Sequence, residues 1–112
     1  MRILDLVLAL GLLAAPVAAQ EAMHQHAGTT DAMQDAMRQM QHGMDMPTTG
    51  DIDVDFARAM IPHHQGAIDM AKAELADGKD PELRELAEEI VAAQEKEIAF
   101  LKAWLAKRGV QP

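Results

Sequence analysis

Two adjacent histidines, His63 and His64, lie between Met60 and Met70 in the stretch MIPHHQGAIDM. Imidazole nitrogen and thioether sulfur together make a soft donor set that suits copper or silver and is poor for magnesium or calcium. Met60, His63 and His64 stand at i, i+3 and i+4, so on a helix their side chains share two successive turns. Met70 follows two turns beyond His63 on the same side, and Ala67 leaves room between them. The chain has nine methionines and no cysteine. Thioether is therefore its only soft sulfur, and it oxidises to sulfoxide instead of pairing as a disulfide.

The same donors recur upstream. Met33, Met37, Met40 and Met44 repeat at a 4-3-4 spacing that lines one helix face, MHQHAG carries His24 and His26, and HGMDM carries His42, Met44 and Met46. Met40, His42 and Met44 are candidates for capturing an ion and passing it to an ordered site. A Met stripe alone is more often core packing, and one inward His is more often a hydrogen-bonded core residue. Two adjacent inward imidazoles flanked by methionine go beyond that ordinary expectation.

Helices must position these residues. The spacing predicts a short first helix opening at a Thr30 or Asp31 cap and ending at Gly43, then a loop through Pro47 and Gly50. A second helix is expected over about Ile52 to Ala76, capped by Asp51 or Asp53 and stopped by Gly78. A third opens at Asp80-Pro81, a cap followed by proline at the first helical position, and closes at Gly109. The short connection makes the last two an antiparallel hairpin. At 100° per residue, Phe56, Met60, His63, His64, Ala67, Met70, Ala71 and Glu74 face inward, with Pro62, Gln65 and Asp69 opposite. The facing stripe runs through Leu83, Leu86, Ala87, Ile90, Leu101, Trp104 and Leu105, interrupted by Gln94 and Glu97. Counting back from the turn puts His64 level with Gln94 and puts Glu97 within one turn of Met60 and His63. Gln94 and Glu97 are then placed to accept the second imidazole N–H and fix ring orientation. Pro62 and Gly66 both cost stability in mid-helix, and a bend at Pro62 would aim the imidazoles inward.

Composition narrows the function classes. The chain has 112 residues, 49% hydrophobic and 25% charged, and a net charge of -8, which disfavours a nucleic-acid partner and favours cations. MRILDLVLALGLLAAPVAAQ reads as an export signal cleaved after Ala19, too short to span a membrane. That divides the chain into a signal at 1–19, a Met/His-rich segment at 20–50 and a hairpin domain at 51–112. No Glu-x-x-His or His-Glu-x-x-His pattern occurs, and the chain contains no serine. Nothing argues for catalysis, so the protein is not expected to be an enzyme.

The span DFARAMIPHHQGAIDMAKAEL, followed by a glycine turn and LRELAEEIVAAQEKEIAFLKAWL, resembles the bacterial family of exported helical domains known as domain of unknown function number three hundred and five, which includes CopM-like copper-binding proteins. Phe56, Met60, Pro62 to Gln65, Ala67, Met70, Gln94, Glu97 and Trp104 carry the resemblance. It implies an all-α, ferritin-like four-helix bundle, a periplasmic address, and copper bound through Met and His in some members. Relatives often carry methionine where this chain has Leu101. Larger ones repeat the hairpin, so here a fourth helix would come from a homodimer partner or the Met-rich segment would complete the bundle. The leading expectation is a periplasmic protein that binds Cu(I), or also Cu(II) or Ag(I), for metal handling or resistance, alongside a periplasmic metal-handling partner. Its rival is a helical interaction module of the cell envelope that packs its His pair and methionines in a dimer interface without metal.

Overall fold

A computed structural model describes residues 17–112, with side chains described from Asp31 onward. The expected leader at 1–19 lies outside that range apart from its last three residues, and the side chains of His24 and His26 also lie outside it. Three helices follow one another: α1 (Val17–Met44), α2 (Ile52–Asp77) and α3 (Pro81–Ala106). No strand occurs among the described residues, and no helix among them is long and apolar enough to cross a membrane. The protein is thus all-helical over this range.

Local chemistry sets the helix ends. Asp51 has extended backbone and its side chain accepts from the N–H groups of Asp53 and Val54, which caps α2. Asp80 accepts from Leu83 N–H at 3.0 Å, with Pro81 at the first position of α3. Arg84 then reaches back across the turn and donates to the carbonyls of Leu75 (2.8 Å) and Gly78 (3.0 Å). It thereby satisfies the exposed end of α2 and ties the two hairpin arms together. Beyond α3, Gly109 takes a positive φ of 67° and Val110 N–H returns to Leu105 carbonyl at 3.1 Å. That terminating turn folds Val110 onto the hairpin's apolar cluster.

α1 is longer than the spacing suggests. It is already helical at Val17, the first described residue, and runs 28 residues to Met44 through Thr30 and Asp31. Residues 17–30 contain no proline and only one glycine, so nothing breaks the helix before the expected cap. Thr30 and Asp31 therefore fall in the helix interior.

α2 is the central element: it contacts α1 and α3, while among the described residues α1 and α3 do not touch. On its α3 side, Val54 and Ala57 bury against Leu101 and Leu105, with Met60, Ile61 and Trp104 packed around them. Gly66 stands about 160° round the helix from His64 and receives α1. A Cβ on Gly66 would lie 2.5 Å from Met40 Cβ, and a Cβ on Gly43 would lie 2.6 Å from Pro62 Cβ. Pro62, expected on the outer side, is therefore an α1 contact. The helix itself continues unbroken through it. The inward arc is also narrower than expected, because one helix covers only part of a 120° stripe. Phe56, His63, Leu83 and Leu86 are consequently exposed.

Gly66→Ala gains about 1 kcal/mol of helix propensity but forces Met40 aside, a repacking that costs about 1–3 kcal/mol. Thermal denaturation followed by circular dichroism should show a lower Tm for Gly66→Ala, recovered only in part when Met40→Ala is added, because alanine keeps the Cβ that stands 2.5 Å away. A rise in Tm for the single variant would contradict the tight α1 contact.

The loop before α2 is held by Asp55, whose carboxylate accepts from the backbone N–H and hydroxyl of Thr49, each at 2.8 Å. These bonds, with Gly50 N–H and the Arg58 charge, lower the Asp55 pKa from 3.8. A depressed carboxyl pKa gives a contribution that is present above the ordinary value and lost as pH falls through the lowered one. Asp55→Asn should therefore flatten the acid dependence of Tm below pH 3.8. Parallel acid profiles for the two proteins would remove Asp55 from that role.

Candidate metal site

His64 is the one buried polar side chain among the described residues, 7% exposed. Its Nε2 bonds to Oε2 of Glu97 across the α2–α3 interface, while the Glu97 side chain stays 61% exposed. Nε2 is thus engaged by the carboxylate, and Nδ1 is the ring's second polar atom. That atom is buried and has no hydrogen-bond partner, and Gln94 Oε1 is in the same state. Two polar atoms left unpaired in one apolar interface are costly unless something else occupies them.

The same pair borders a cleft of about 210 Å³ between the hairpin arms, lined by Phe56, Met60, His64, Glu97, Phe100 and Leu101. One imidazole and one thioether therefore share an apolar cavity. This donor set fits a soft monovalent ion and lacks the oxygen ligands that magnesium or calcium requires. Among the described residues no three His, Asp or Glu side chains converge, so any ion here would depend on methionine.

The remaining candidate ligands stand elsewhere. His63 is exposed, its ring centroid 6.0 Å from that of His64 and tilted by 58°. Successive residues diverge by about 100° on a helix, so only one of the two imidazoles enters the interface. Met70 is half-buried and lies about 40° round α2 from Gly66, on the α1 side. Met40 packs across Gly66. Met44 lines a separate hollow of about 310 Å³ with Met46, Phe56 and Arg58, where Arg58 donates to Met46 Sδ at 3.9 Å. A guanidinium at that sulfur opposes a second cation. His42 is exposed and, two residues from both Met40 and Met44, shares a face with neither.

Two participants escaped the sequence reading. Phe100 walls the cleft from off the core stripe of α3, and a large aromatic outside that stripe was its available signal. Arg58, whose Nε is also buried and unpaired, gave no such signal, because only the loop's return brings Met46 to it.

The arrangement defines a class: a helical hairpin, flanked by a third helix, with an imidazole–carboxylate pair between its arms. The chain belongs to the family described as Domain of unknown function (DUF305), whose model matches residues 10–105. It is also similar to an uncharacterised protein of Acanthamoeba polyphaga mimivirus, 37% identical over 59 residues. That alignment covers 53% of this chain and 39% of the viral protein, so the chain spans about two fifths of that relative's length.

Glu97→Ala leaves His64 buried without either ring partner, and with Glu97 largely solvated the loss should be about 1 kcal/mol. Long-range ¹H–¹⁵N spectra should show His64 as a single tautomer protonated at Nε2, and this preference should vanish in Glu97→Ala. An unprotonated Nε2 in the parent would overturn the assignment.

Proposed function

We propose that this protein binds copper(I) in the cleft between α2 and α3 and serves the handling or resistance of excess copper in the periplasm. The observation that carries the reading is the buried Nδ1 of His64, unpartnered while Glu97 holds the opposite nitrogen, on a residue that lines one cleft with Met60. A carboxylate behind a ligating imidazole fixes its tautomer and raises its basicity. His64 and Met60 are the ligands in this reading. Glu97 orients the imidazole, Gln94 with its unpaired Oε1 does not, and His63 at the cleft's margin is available to an ion entering or leaving. Met40 and Met70 serve chiefly to seat α1, and Met44 and His42 lie apart from the cleft. Copper supplies no reaction here; it is the cargo. Export through the leader, a metal-handling partner, and Cu(II) or Ag(I) as further ions belong to the same proposal. So does a ferritin-like bundle, since two such hairpins make four helices around two clefts.

Titration of the protein with Cu(I) against a chromophoric chelator tests it. His64→Ala and Met60→Leu should each abolish competitive binding, His63→Ala should keep most of it, and Glu97→Gln should weaken it about 10- to 100-fold. Binding that survives His63→Ala combined with His64→Ala would overturn the site. The rival, an interaction module without metal, instead predicts a Tm indifferent to copper and to chelators, whereas bound copper raises Tm by linkage.

A further inference from the structure

Because α1 and α3 flank α2 from nearly opposite sides without touching, the three helices form a single layer with two broad faces. The faces differ in chemistry. One carries Gln65 and Lys72 of α2 with Glu88, Glu95 and Lys102 of α3, by their rotation about each helix. The other carries Phe56 and Phe100, 59% and 66% exposed, on the two lips of the His64 cleft. Leu86 continues that surface along α3, and Met44 continues it toward α1 through the hollow that shares Phe56. The interior, meanwhile, is slight: half of the buried apolar side chains among the described residues are alanine, and Ile68 and Leu105 are the large ones fully enclosed.

A stable domain packs at least two layers around one core, and the described residues supply one. We propose that a second copy of this chain supplies the other, apolar face on apolar face about a two-fold axis. Size agrees. Two 26-residue helices side by side present a face about 39 Å by 20 Å, close to the roughly 800 Å² that each partner buries in a standard interface. Charge opposes the pairing only in part. A chain of net charge -8 resists meeting itself; Glu88 and Glu95 lie on the far face, while Glu97, bonded to His64, and Glu74 and Glu82, at the rotations of Phe56 and Phe100, share the docked one. The docked copy covers the open cleft and brings a second Met60 and His64 to it. This names the partner of the proposed copper site, yet it is measured without metal, so the two readings fail separately.

Sedimentation of the protein in chelator, over a concentration series, should give the mass of two chains. Phe56→Glu combined with Phe100→Glu, both at exposed positions, should sediment as one chain with helicity retained, while Lys72→Glu on the polar face stays paired. A one-chain mass for the parent, or a folded double variant that still pairs, overturns the proposal. If the double variant loses helicity, a mixture decides. The chain has no cysteine, so a spin label on Ala93→Cys can be placed singly and mixed with ¹⁵N-labelled parent. Broadening at Phe56 and Phe100 that spares Gln65 and Lys72 supports the docked face; broadening absent or confined to the polar face overturns it.

Discussion

α1 and α3 do not touch, so α2 has to bury two nearly opposite sides with few large residues to do it. Toward α3 it uses Val54, Ala57, Ile68 and Ala71, small or β-branched groups that allow the arms to approach closely. Toward α1 it uses the Pro62 ring and the bare backbone of Gly66. Gly66 and Gly43 each bring bare backbone against a neighbour, Met40 in one case and Pro62 in the other. Two glycines in helices weaken each helix taken alone, and the close contact they permit is what offsets that loss. Pro62 fits this arrangement because its ring is a compact, rigid surface facing the partner, whatever its missing N–H costs the helix.

That double cover also fixes how α2 is rotated, and the rotation selects one imidazole of the pair. With Gly66 turned to α1, His64 is carried to the α3 side, where Glu97 meets it, and His63 is left at the margin. A buried histidine in an interface of alanine, isoleucine and leucine needs both ring nitrogens occupied. Glu97 occupies one. The unpaired Nδ1 and Gln94 Oε1 are the chemical asymmetry of the molecule, and His64 also lines the cleft that holds Met60.

Much of the fold was legible because it depends on local rules. The caps at Asp51 and Asp80, the proline after Asp80, the stop at Gly78 and the turn at Gly109 each follow from chemistry within a few residues, and each is where the pattern puts it. The start of α1 was not legible, since Thr30 and Asp31 are good caps that a continuous run of helix formers has no need to use. Glu97 could be brought near the imidazoles by counting from the turn, because an antiparallel hairpin has one register. What counting along one helix cannot supply is how many neighbours that helix has. The spacing makes the stripe through Phe56 and His63 a single inward arc, while in the fold α2 is covered from two sides and both residues fall between them.

The same distinction separates the methionines, which composition alone makes equivalent. Met40 lies flat on Gly66 as a packing group, and its flexible thioether suits that irregular gap. Met46 accepts from Arg58 in the loop, which places a positive charge where an incoming cation would have to go. Met60 differs from both, since it borders a cavity and shares it with an imidazole whose second nitrogen is unpaired. A methionine-rich sequence therefore does not imply a methionine-rich site. Most of the sulfur here shapes the layer, and the donor chemistry narrows to the one place where a thioether, a buried lone pair and open space coincide.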